Sequence, residues 1–124
     1  HNFTGASNIF KLALYTNSAT FNAATTAYTS GNEVSGTNYT AKGNAVTTVT
    51  PSASGTTALL DMNNVVFSNV TISSVRGALI FNEVATGDPT VCVLDFGSDK
   101  AASSGDFTIV MPAPDASNAI IRIA

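Results

Sequence analysis

The strongest constraint on this chain is a series of short apolar runs with two-residue periodicity, broken at roughly ten-residue intervals by clusters of Gly, Asn, Ser, Asp and Pro. Side chains alternate across a pleated strand, so such runs present one face to a core and the other to solvent. The run Phe10 to Tyr15 places Phe10, Leu12 and Leu14 on one face and Lys11, Ala13 and Tyr15 on the other. Ala45 to Thr50 reads as a strand ended by Pro51, which has no amide hydrogen for a sheet ladder. Further strands are expected at Thr57–Asp61, Val65–Phe67 and Val70–Ser74, with Ser52–Gly55 as a turn and Asn63-Asn64 as a turn or bulge. Gly77–Phe81 and Val91–Phe96 are nearly continuous apolar runs, as expected of strands with little solvent on either face, and they are predicted to pair as a hairpin.

Gly97–Gly105 reads as a polar connector, followed by strands at Asp106–Met111 and Ala119–Ala124. Thr16–Ser30 fits a long surface loop or one short helical turn over Asn22–Ala27. With no convincing amphipathic helix, the expectation is an all-β, antiparallel β-sandwich or small barrel of about 7–9 short strands. No repeat or boundary divides the chain, so residues 1–124 are expected to form a single domain, with an extended N-terminal segment over 1–9.

Composition constrains the exterior. Only 10% of residues are charged, against roughly 25% in ordinary soluble domains, so surface polarity must come from Thr, Ser and Asn. Hydroxyl and amide groups solvate a surface without the mutual repulsion that keeps separate molecules apart. A formal net charge of −3 with scattered Lys11, Lys42, Arg76, Lys100 and Arg122 argues against a nucleic-acid partner. No apolar stretch approaches the roughly 18 residues of a transmembrane helix, and no membrane partner is expected.

Catalysis has few residues to work with. His1 is the sole histidine, which removes Ser-His-Asp and Cys-His arrangements and leaves no histidine pair for zinc. Cys92, the single cysteine, lies in Val91-Cys92-Val93-Leu94 and reads as a small buried hydrophobe rather than a reactive thiol. Asp95, Asp99 and Asp106 are the candidates for calcium, but their spacing matches no EF-hand loop and Asp is a common turn residue. Asp95 is the one acid that looks forced inward, and Arg76 is its expected partner in a buried or half-buried ion pair. The chain is expected to be no enzyme and to carry no metal or cofactor. Tyr15, Tyr28 and Tyr39 are candidates for a contact patch, Tyr39 most of all because Gly36-Thr37-Asn38-Tyr39 has the composition of a loop.

Phe10-Lys11-Leu12-Ala13-Leu14-Tyr15-Thr16, Glu33-Val34-Ser35-Gly36-Thr37-Asn38-Tyr39-Thr40-Ala41, Arg76-Gly77-Ala78-Leu79-Ile80-Phe81-Asn82 and Val93-Leu94-Asp95-Phe96-Gly97 form an ordered set, continued by Asp106-Phe107-Thr108-Ile109. Together they resemble a family of small proteins encoded by tailed bacteriophages and described as hypothetical or virion structural proteins. The resemblance implies a virion component, with a longer segment ahead of Phe3 and no catalytic residues to carry over. Small size, low charge and apolar strand edges favour a capsid decoration or cement protein, whose partners are other virion proteins, chiefly the major capsid protein. A tail, neck or fibre-associated component is the alternative. Two further readings are a host-surface binding module, contacting through Asn17–Asn32 and Asp99–Gly105, and a self-assembling filament subunit. Exposed edges also predict a homo-oligomer, with Phe3, Phe10, Tyr39, Ile120, Ile121 and Ile123 as candidate interface residues.

Overall fold

The structure, a computed structural model, describes residues 3, 8–22, 24–48, 51–111 and 121–123. Among these the chain is all-β, in two antiparallel sheets. The strands are β1 (Phe10–Thr16), β2 (Asn44–Val46), β3 (Ser52–Ser54), β4 (Thr57–Leu60), β5 (Val65–Asn82), β6 (Thr90–Ile109) and β7 (Ile121–Ile123). One sheet has the order β2-β1-β5-β6, the other β3-β4-β7.

The expected hairpin forms: Gly77 faces Asp95, Ala78 faces Leu94, Leu79 faces Val93 and Ile80 faces Cys92. Its strands are far longer than the apolar runs, because three expected strands fuse into the 18 residues of β5. The buried positions Val65, Phe67, Val70, Ile72 and Val75 change parity twice, and each change coincides with a register shift against β6. Asn69 and Ser74 take left-handed backbone there, with φ of 56° and 57°. Each bulge adds one residue and returns the next apolar side chain to the core face.

The connector expected over Gly97–Gly105 is likewise part of β6. Bulges at Gly97 (φ 75°) and Ser104 (φ 49°) accommodate its turn-forming residues, and most of its side chains face solvent, so no apolar alternation marks it. Ser52–Ser54 is a strand rather than a turn; the turn is Gly55-Thr56, a two-residue connection between Ser54 and Thr57, with Gly55 at φ 62°. β3 is exposed throughout, which hid it from an apolar-pattern reading. The strand expected over Ala45–Thr50 is shorter, ending as β2 at Val46 with a bridge from Thr48 to Met62; 49–50 lie outside the described residues, as do His1 and 112–120.

Both faces of the four-stranded sheet are covered. On one face Phe10, Leu12, Leu14, Ala78 and Ile80 join Leu60, Met62, Phe67 and Ile72 in the main core. On the other, Ala13, Tyr15, Leu79 and Phe81 pack beside Val93 of β6 and under Ala19, Phe21 and Tyr28. The stretch read from sequence as a surface loop over Thr16–Ser30 or a helical turn over Asn22–Ala27 therefore forms, in its described residues, an irregular layer over the sheet that continues to Asn32. Where a helical turn was considered there is a single turn, closed by the Thr25 N–H on the Asn22 carbonyl (3.0 Å) and the Ala24 N–H on Asn22 Oδ1 (2.7 Å).

Gly43 shows how tightly the chain passes the sheet. It sits at φ 69°, and a Cβ there would meet the Leu12 carbonyl oxygen at 1.8 Å. Gly55 has a similar φ of 62° but open space around it. Gly55→Ala is expected to cost about 1 kcal/mol, the left-handed penalty alone. Gly43→Ala must add a backbone displacement and is expected to cost about 3 kcal/mol or more. Urea unfolding midpoints of the two variants measure the difference.

Candidate functional site

The sequence-derived interface residues occupy different environments. Phe10 is 4% exposed and stacks on Phe3 with ring centroids 5.0 Å apart, both against the main core. Tyr39 packs on Phe67 at 5.7 Å. Ile121 and Ile123 lie on β7, whose backbone pairs with β4, and Ile120 lies outside the described residues. Phe3, Phe10 and Tyr39 thus turn towards the protein's own interior.

The three tyrosines converge within the chain rather than forming an outward patch. Glu33 is their centre, since its Oε1 accepts the Tyr28 hydroxyl (2.5 Å) and its Oε2 accepts the Tyr39 hydroxyl (2.7 Å) and the Lys42 N–H (2.9 Å). The Tyr39 hydroxyl also accepts the Leu14 N–H (2.9 Å), tying β1 to this cluster. Tyr15 donates to the Thr29 carbonyl (2.6 Å), and Lys42 Nζ bonds Asp88 Oδ2 (2.7 Å) while standing 5.5 Å from the Tyr28 ring centroid. Hydrogen bonding to Asp88 raises the Lys42 ammonium above its ordinary pKa. These bonds clamp the irregular layer and the β5–β6 connector onto the sheet. No single sequence signal marks Glu33, because its partners come from 28, 39 and 42 and meet only when the layer folds over.

The acids of the C-terminal third serve as local structure. Asp95 is not forced inward: its side chain is 80% exposed, its Oδ1 accepts the Gly97 N–H (2.8 Å), and Arg76 Nε lies 3.9 Å away. The Arg76–Asp95 pair therefore forms at the surface instead of being buried, because β6 is an edge strand and the Asp95 side chain stands off its solvent side. Arg76 contacts Asp99 more closely, at 3.3 Å, and Asp106 accepts the Asn69 N–H at the β5 bulge (3.1 Å). Among the described residues no group of three or more His, Cys, Asp or Glu side chains is placed to hold a metal ion. Cys92 packs against the main core, and burial pushes its thiol up to about 11.

The feature that sequence reading missed is the outer side of β6. This strand ends the sheet order, and among the described residues no strand pairs with its far side. Its start is capped by the Thr90 N–H bonding the Thr26 carbonyl (3.0 Å). Val91, Cys92, Val93 and Leu94 are only half-buried, and Val110, just past the other end, is 73% exposed. Between these apolar ends, Asp95, Asp99, Lys100 and Asp106 and the two bulges interrupt the edge, as natural edge strands do to limit indiscriminate pairing. Among the described residues no helix is long and apolar enough to cross a membrane.

Two chemical outcomes follow. Tyr15, Tyr28 and Tyr39 are all held above the ordinary phenol value, first by burial and then by the charge of Glu33, although the Leu14 N–H on Tyr39 acts in the opposite direction. The folded state thus favours the neutral phenol; this stabilisation is complete below the ordinary value near 10 and declines as pH rises above it. Ultraviolet titration of the native chain is expected to show phenolate forming at higher pH than in the chain unfolded in guanidinium, and coincident titrations would refute the buried cluster. Tyr39→Phe leaves the Leu14 N–H without its acceptor and is expected to cost about 1–3 kcal/mol in denaturant unfolding. At neutral pH the raised Cys92 pKa should slow thiol labelling about a hundredfold relative to the unfolded chain.

No protein-family model, curated protein or solved structure matches this chain.

Proposed function

We propose that this protein is a non-enzymatic structural subunit of a tailed-bacteriophage virion, and that it serves as a capsid decoration or cement protein. The observation that carries the reading is the outer edge of β6, which no strand pairs among the described residues, with apolar ends and a charged, bulged middle, on a chain with only 10% charged residues. An edge of this kind accepts a limited strand or side-chain contact from a neighbour without templating open-ended aggregation. The ordered resemblance to phage virion proteins supplies the setting, and the major capsid protein is then the main partner. The two sheets are read as the layers of an antiparallel sandwich, a rigid scaffold that repeats well in a shell. Association with further copies of the chain follows from the same edge.

Copy number tests the reading. Gel densitometry of purified virions is expected to show hundreds of copies per particle, as one subunit at each shell junction requires. Particles stripped of this protein alone are expected to lose resistance to heat and low salt and to recover it on adding the protein back. A handful of copies would shift the assignment to a tail, neck or fibre position. Unchanged resistance after stripping would remove the cement role.

A further inference from the structure

A cleft of about 280 Å³ opens between the irregular layer and the β5–β6 hairpin, lined among others by Asn17, Phe21, Arg76, Val93 and Asp95. Its rim is made by chain segments far apart in sequence. Asn17 and Asp99, separated by 82 residues, meet with the Asn17 amide 3.5 Å from Asp99 Oδ2. Arg76 lies between the two acids, 3.3 Å from Asp99 and 3.9 Å from Asp95, and keeps 43% of its side chain exposed. On the apolar side, Phe21 is half-buried and held edge-on against Tyr15, with ring centroids 4.4 Å apart and planes at 81°.

The chemistry of this rim narrows what fits. One guanidinium facing two carboxylates leaves the rim with one net negative charge, so a phosphate or sulfate is disfavoured. Two carboxylates already engaged by arginine are too few ligands for calcium, which takes about six to eight oxygens. An acyl chain would leave the polar rim without partners. What matches is a small neutral molecule carrying hydroxyls around its edge and an apolar face. Carboxylates accept hydrogen bonds from hydroxyl groups, the guanidinium and the Asn17 amide donate to them, and Phe21 offers an apolar surface. At about 280 Å³ the cleft falls just below the roughly 300–1,000 Å³ of sites for drug-sized ligands, which leaves room for one ring.

We infer that this cleft binds a single neutral sugar ring, such as the terminal residue of a surface polysaccharide. Asn17, Arg76 and Asp95 contact its hydroxyls, Phe21 and Val93 contact its apolar face, and Asp99 holds Asn17 and Arg76 from behind. The site is shallow and few side chains reach the sugar, so affinity for one ring is low; in a multi-copy array the same site gains by multivalency. This inference goes beyond the assembly role and stands independently of it.

The test is a titration of the isotopically labelled full chain with glucose, galactose, mannose, rhamnose and N-acetylglucosamine, with inorganic phosphate and calcium as controls. At least one sugar is expected to cause saturable amide shift changes, with millimolar affinity, centred on Asn17, Phe21, Arg76, Val93 and Asp95. Asp95→Ala, a change at a side chain that lines the cleft and is 80% exposed, is expected to weaken binding about tenfold or more by removing charge-assisted hydrogen bonds. Asp106→Ala, at the distant bulge, is expected to leave it unchanged. The inference is overturned if no sugar saturates, if the shifts map elsewhere, if Asp95→Ala binds as well as the parent, or if phosphate or calcium binds there instead.

Discussion

The structure depends on β5 being enclosed from every side along residues 78–81. Its backbone groups are taken up by β1 on one edge and β6 on the other, and its side chains alternate between two apolar layers. A strand in that position carries apolar residues at every step, because neither face meets water. Each face then requires a cover. Part of the main-core cover comes from Leu60 on β4 and from Met62, while the second face is covered by Ala19, Phe21 and Tyr28, from a stretch whose described residues form no strand ladder of their own.

An irregular cover brings a polar problem with it, since backbone and side-chain polar groups that leave water need partners. Glu33 answers it by accepting from Tyr28, Tyr39 and Lys42, and Tyr15 by donating to Thr29. The same tyrosines supply apolar ring surface to the two cores, so each joins packing to hydrogen bonding. The second layer is consequently held by a few specific polar contacts.

The two sides of the four-stranded sheet differ. Beyond β1 lies β2, and the N-terminal half of β5 is met by the chain around Thr37, whose carbonyl accepts the Thr71 N–H (3.1 Å). Beyond β6 no strand follows among the described residues. That asymmetry places the apolar runs Val91–Leu94 and Phe107–Val110 at the margin of the sheet. It also sets the irregular layer beside an open edge, and the cleft near Arg76 is the gap between them.

Local chemistry was legible in the residues themselves. Alternation in Phe10–Tyr15 and the apolar runs at 77–81 and 91–96 determined strands, their antiparallel pairing and an all-β chain, because side-chain periodicity is a property of the strand itself. The apolar setting of Cys92 was readable for the same local reason, although the residue is half-buried, whereas Asp95, which looked forced inward, is exposed and bonds the Gly97 N–H as a turn residue does. Only the tertiary structure decided the rest. Fusion of three runs into β5 depends on bulges at Asn69 and Ser74 that restore parity, which is defined only against a partner strand. The membership of Gly97–Gly105 in β6, the surface position of the Arg76–Asp95 pair and the meeting of Asn17 with Asp99 all follow from β6 being an edge. Edge position is set by strand order, and strand order is long-range information that no local pattern carries.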